Sequence, residues 1–395
     1  MQLERIHVTA HAHDTTPPRE SRYLVVGLIG LGLNGGLNLN IVPLLSGTLI
    51  DEGRLDATEA GEVLSVQALV AALAAIVLSS RTHLISARTV GLGAGVAVFV
   101  ATLGFAWVQD LWPLLATSAL LGVSLGVLGA CFAAAIAAAP RVDRTAAIVS
   151  VGISLLVTVL TFPLARAVGA GGRSALFLVD LAIVAGSMLL MLALPAGRSA
   201  SAPRHSTSLV NALIAPIVLV SIFLAIGTNG IWAFCERIGV GLGLSTERVG
   251  EVLAGSATFA VFGGAVAALV SRVGLERMWA KAGVATYGIT SAAIVFAPNS
   301  TWFIVAICAQ AFFFVFATPF LVAVAIGEDD SGGLVVAAAG WSGLLGAGAP
   351  ALAGFMIEGG VLSGLGWFAL ATTVAALIAL AVVGRNRGIV RSLAQ

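Results

Sequence analysis

Asn229, Trp232, Glu236 and Arg237 fall within Ala225-Ile-Gly-Thr-Asn-Gly-Ile-Trp-Ala-Phe-Cys-Glu-Arg-Ile-Gly239, at the end of a long apolar run. An amide and an indole can hydrogen-bond a solute, a carboxyl can carry a proton, and a guanidinium can hold an anion. An ionisable group in a lipid-immersed helix costs several kcal/mol unless it is paired or faces a water-filled cavity, so such a position is a functional candidate by default. The plainer alternative for Glu236 and Arg237 is a satisfied ion pair at a helix end.

The same pattern occurs near the N-terminus. Leu31-Gly-Leu-Asn34-Gly35 matches Ile226-Gly-Thr-Asn229-Gly230, and beyond a short polar loop Leu55-Asp56 through Leu64 matches Leu244-Ser245 through Leu253. Asp56 and Ser245 are matched helix N-cap candidates. The chain therefore reads as two related halves, the internal repeat from which membrane carriers are built. With a span starting near Tyr23, Asn34 lies about 16 Å along the helix, close to mid-membrane, and Asn38 follows one turn later on the same face. The repeat sets Asn229 at the matching depth, so that the two amides, one from each half, are expected to share a midplane site. Hydrogen bonding between neighbouring helices is the competing role for such amides.

The elements that position these groups are read from composition. The chain has 395 residues, 59% hydrophobic and only 10% charged, whereas soluble domains carry about 25% charged residues. Lipid is the solvent such a chain requires. Twelve apolar runs long enough to cross about 30 Å of hydrocarbon lie near 23–49, 60–80, 89–109, 112–139, 146–168, 175–195, 209–237, 247–270, 278–297, 301–327, 334–357 and 365–384. Gly and Ala throughout suit closely packed helices rather than transmembrane strands. Gly122, Gly126, Ala130 and Ala134 form a small-residue stripe in the fourth run, and Ser342, Gly346, Pro350 and Gly354 form another in the eleventh; both are expected to pack helices.

With the N-terminus inside, 15 of the 20 Lys and Arg residues fall on the cytoplasmic side and Arg54, Arg166, Arg173, Arg237 and Arg248 fall outside. Basic residues in short loops stay cytoplasmic, so both termini are expected there, in a bacterial inner membrane. Residues 1–22 read as a polar cytoplasmic tail without the apolar core of a signal peptide. His7, His11 and His13 in this tail are too loosely spaced for a metal site. Residues 196–208, rich in Ser, Arg and Pro, read as a cytoplasmic linker between bundles at 23–195 and 209–384, and residues 385–395 as a second tail.

Twelve spans, a short central linker and two homologous halves resemble the major facilitator superfamily of secondary transporters. The resemblance covers Tyr23 to Gly384 and implies an all-α integral membrane protein with two pseudo-symmetric six-helix bundles. The loops at Ser79–Arg88 and Ser271–Arg277 keep the basic character of that family's signature loop, and the second keeps Arg-x-Gly, but neither has its Asp. The fourth run has no Arg, which counts against drug–proton antiport. The resemblance also implies a central cavity lined by the first, fourth, seventh and tenth helices. That makes Asn34, Asn38, Asn229, Trp232, Arg237 and Gln310 the expected substrate contacts, with Phe312, Phe313, Phe314 and Phe316 as an aromatic face beside Gln310. Glu236 is the first candidate for proton coupling and Asp180, in the sixth run, the second. Arg166 or Arg173 is the expected ion-pair partner of Asp180.

No phosphate-binding loop, metal-ligand cluster or nucleophile–base pair is present in the sequence, so neither an enzyme nor an ATP-driven pump is expected, and no cofactor or metal. The expected function is secondary transport of a small organic solute by alternating access, with proton coupling as one option. Efflux of hydrophobic compounds is the alternative within transport. A transporter-like receptor or lipid-handling protein is the alternative of another class. Expected partners are the solute, protons in the coupled case and the lipid bilayer, with no nucleic acid and a monomer as the working unit.

Overall fold

The computed structural model describes residues 22–52, 55–79, 81, 85–196, 212–329 and 332–383. The expected tails and linker lie almost wholly outside these residues, as do His7, His11 and His13. The described chain is helical: α1 Arg22–Glu52, α2 Ala57–Ser79, α3 Ala87–Trp107, α4 Leu111–Ala137 and α5 Val142–Met191, then α6 Pro216–Ala233, α7 Cys235–Gly241, α8 Thr246–Val270, α9 Glu276–Val295, α10 Ser300–Glu328, α11 Gly333–Gly346, α12 Ala349–Glu358 and α13 Leu362–Val382. Ten helical segments are long and apolar enough to cross a membrane. α5 crosses twice, because helical geometry fails at Gly171 and Gly172 and the chain doubles back there. α9, with 20 residues, spans about 30 Å at helical rise and completes twelve crossings. The chain is a multi-pass membrane protein.

Helix ends follow local chemistry. The side chains of Ser86, Ser245 and Asn299 accept from the backbone N–H three residues on and start α3, α8 and α10. Asp56 and Glu59 exchange hydrogen bonds with each other's backbone N–H, a capping box that starts α2. The hairpin inside α5 needs Gly172, whose φ of +62° disfavours a side chain, and a Cβ there would collide with the Glu52 carboxylate at the end of α1. That carboxylate accepts the Arg173 N–H at 3.0 and 3.1 Å.

Side chains sort by surroundings. Val151, Leu155 and Val159 recur every four residues on an exposed face of α5, as a lipid-facing stripe must. Inward, glycines bring backbones together: a Cβ on Gly122 or Gly126 of α4 would strike the backbone of α2 at Gln67 or Ala71. Two expected single spans are each broken. The seventh is interrupted at Phe234, between α6 and α7, and the eleventh at Ala347 and Gly348, between α11 and α12.

The helices before residue 196 and after residue 212 form two bundles that meet along α1 with α7, α2 with α12, and α5 with α8. We call the end where α1 gives way to α2 the distal end, and the end of Arg22 and Val382 the proximal end. Bonds between bundles gather in the distal half: Ser46 Oγ reaches the Ala233 carbonyl at 2.5 Å, and Ser65 Oγ accepts the Ala351 N–H at 2.9 Å. Gly61 and Gly354 let α2 and α12 touch backbone to backbone there.

Candidate functional site

A cavity of about 390 Å³ lies between the bundles, within the size range of small-molecule sites. α1 contributes Asn38, Leu39 and Val42, α2 contributes Gln67 with a row of alanines, α4 contributes Leu125, Gly126 and Gly129, and α6 contributes Asn229 and Trp232. Gly346 and Pro350, from the small-residue stripe expected only to pack, complete the wall at the break between α11 and α12. No Asp, Glu, Lys, Arg or His is among the lining residues. Its polar groups are two asparagines, a glutamine and an indole on an otherwise apolar surface.

Gln67 was missed by sequence reasoning, since it sits in the second span, outside the helices singled out above. Its Nε2 donates to Asn38 Oδ1 at 2.7 Å. Its Oε1 is buried without a hydrogen-bond partner, in a residue only 5% exposed. An unpaired buried carbonyl at a cavity wall is the position at which a ligand N–H or O–H gains most. Trp232 Nε1 donates to the Leu39 carbonyl at 2.8 Å across the bundle interface, which fixes the indole against the cavity. Asn229 is exposed to the cavity, with its amide beside Gly346.

Asn34 and Asn229 do not face each other. Asn34 is 6% exposed and donates to Ser187 Oγ at 2.8 Å, inside its own bundle. The cavity wall pairs Gly35, Asn38 and Leu39 with Asn229, Trp232 and Ala233, an offset of 194 (229 minus 35, 232 minus 38, 233 minus 39) where the sequence match uses 195 (229 minus 34). Successive helix residues diverge by about 100°, so this one-residue difference puts Gly35, and not Asn34, at the cavity position that Asn229 holds in the other half.

Gln310 is also elsewhere. It is 3% exposed and donates to Ser291 of α9 at 3.4 Å, within the second bundle. Phe312, Phe313 and Phe316 pack on one another and on Trp279 in that bundle's core, and Phe314 packs by Tyr287. None of them is among the residues lining the cavity.

Glu236 and Arg237 form part of the distal closure. Glu236 is fully buried; its Oε1 accepts from Thr246 Oγ1 at 2.7 Å, while its Oε2 has no hydrogen-bond partner. The Oε2 lies 3.7 Å from Arg237 Nε, and it presses on Gly47 of α1, where a Cβ would collide with it. Arg237 crosses to the same helix, donating to the Gly47 carbonyl at 2.8 Å and pairing with Asp51 at 2.6 Å. This ties α7 to α1 above the cavity, and neither residue lines it.

Asp180 has a different partner from the expected arginines. Thr102 of α3 donates to it at 3.4 Å, and among the described residues no salt bridge joins it to Arg166, which is exposed, or to Arg173.

No family model matches the sequence, and no curated relative matches it. Solved structures match closely in shape. The nucleoside transporter NupG superposes with a TM-score of 0.69 at 13% identity, over 92% of this chain and 100% of its own. The D-xylose-proton symporter gives 0.68 at 14% identity, over 92% and 96%. The human organic anion transporter MFSD10 gives 0.65 at 15%, over 92% and 100%. The chain has the major facilitator fold. The central cavity and the distal contacts both lie between the two six-helix bundles.

Proposed function

We propose that the protein is a secondary transporter that carries a small, uncharged organic solute through the cavity between its bundles. The observation that carries this is the cavity wall itself: Asn38, Gln67 and Asn229 bring carboxamides from both bundles, the Trp232 indole adds an apolar face, and no charged side chain is among the lining residues to balance an ionic substrate. A charged solute taken into such a cavity would lose hydration without gaining a counter-charge. The unpaired Gln67 carbonyl supports a solute that bears an N–H or O–H donor, and Leu64 and the alanines beside it on α2 support an apolar face on that solute. Arg237, expected from the sequence to contact an anion, is engaged with Asp51 and Gly47.

In this reading the distal end is the outer face of a bacterial inner membrane, both termini are cytoplasmic, and the molecule is closed on the outside. The asymmetric distribution of Arg and Lys supports that orientation. The test is uptake into proteoliposomes of neutral, donor-bearing solutes such as nucleosides and sugars beside carboxylic acids and hydrophobic cations, with and without an imposed ion gradient. Saturable flux of a neutral solute is expected. Saturable flux of acids or hydrophobic cations with none of neutral solutes would overturn the substrate class, and binding without any flux would leave a receptor.

A further inference from the structure

A second cavity of about 20 Å³ lies inside the first bundle, enclosed by α1, α3, α4 and the second arm of α5. Its volume suits one water molecule or one small ion. α5 presents Asp180 to it, α1 presents Asn34 and Asn38, α3 presents Thr102, and α4 presents only Leu121 and Leu125. No other ionisable side chain lines this cavity, and Asp180 has no ion pair among the described residues. A carboxylate in a membrane interior without a counter-charge costs several kcal/mol. A cavity the size of one ion, set against that carboxylate and bordered by carboxamide and hydroxyl groups, removes the cost when a cation occupies it.

We propose that the Asp180 cavity is a cation site, taking a sodium ion or a proton, and that Asn38 couples it to solute binding. Asn38 lines both the Asp180 cavity and the central cavity. Its Oδ1 accepts from the amide of Gln67, a residue that also lines the central cavity. A cation at Asp180 draws on the orientation of the Asn38 amide, and that orientation sets the Gln67 side chain in the wall of the central cavity. Any differential affinity of the two cavities' occupants is then reciprocal. The coupling step rests on the transport reading, but the cation site does not, and it is measurable with no solute present.

The experiment is thermal unfolding of the purified protein without solute, in sodium chloride against choline chloride at constant ionic strength, and in choline from acidic to neutral pH. Sodium about tenfold above its Kd is expected to raise the Tm by about 2–4 °C. If the occupant is a proton, sodium has no effect and the Tm changes with pH instead. Asp180→Asn, isosteric and permanently neutral, is expected to lose whichever response the wild type shows, while Thr102→Val keeps it with a shifted midpoint. Should Asp180→Asn not fold, Asp180→Glu is expected to move the midpoint of the same response. The proposal is overturned if Asp180→Asn responds to sodium and pH as the wild type does, if Asp180→Glu leaves the midpoint in place, or if the wild type responds to neither. Loss of solute flux with this response intact would instead remove the transport reading.

Discussion

Gln67 carries the most direct expectation at the scale of single residues. Its carbonyl is buried without a partner at the wall of the central cavity, and a ligand hydrogen bond there should contribute about 1–3 kcal/mol. Gln67→Leu is therefore expected to raise the apparent solute constant about tenfold or more, read from saturable uptake, with little loss of thermal stability. The distal tie gives a contrast in the other direction. Asp51 is half exposed, so Asp51→Asn should cost under about 1 kcal/mol, as surface ion pairs do. Arg237→Met leaves the fully buried Glu236 carboxylate without its neighbouring cation. Breaking a buried pair costs up to about 3–5 kcal/mol, so its Tm should fall well below that of Asp51→Asn. Equal shifts in the two variants would show that Arg237 does not stabilise Glu236.

At the scale of elements, two glycines of α4 that border the cavity differ in what else they touch. A Cβ on Gly126 would strike the Ala71 carbonyl, whereas one on Gly129, a turn further along α4, meets nothing within 4 Å. Gly126→Val is expected to force α2 and α4 apart and to cost about 1–3 kcal/mol of stability. Gly129→Leu should leave the unfolding temperature nearly unchanged and instead fill the cavity, weakening solute binding. A stability loss at Gly129 equal to that at Gly126 would place both in the packing contact. The breaks at Phe234 and at Ala347–Gly348 belong to this scale too. At the first break the Ser46 hydroxyl of the other bundle donates to the Ala233 carbonyl.

At the scale of the whole molecule, the distal bonds between bundles define the surface that must open if the halves rock. Ser65 and Ala351 are in contact across it at 2.9 Å. In a cysteine-free background, Ser65→Cys with Ala351→Cys is expected to form a disulfide that holds the distal end shut and stops uptake, with recovery on reduction. Full flux in the cross-linked protein would mean that these ends do not separate during turnover.

The sequence alone determined the solvent and the plan of this protein. Low charge and twelve apolar runs required lipid, because nothing else accommodates so much apolar surface. The matched segments around Asn34 and Asn229 showed two related halves, since a repeat in the chain becomes a repeat in space. Helix starts at Asp56 and Ser245 were legible for the same local reason, their side chains capping the backbone three residues on. Tertiary structure decided what the polar groups face. Which side of a membrane helix turns inward depends on a rotation of about 100° per residue, and the apolar surroundings are too uniform along these spans for the sequence to fix it. Asn34 therefore went to Ser187, Gln310 to Ser291 and Arg237 to Asp51, while Asn38 and the unremarked Gln67 came to the cavity. Asp180, whose partner the sequence sought among arginines, met Thr102 and a cavity of one ion's size, because only the packing of four helices creates that space.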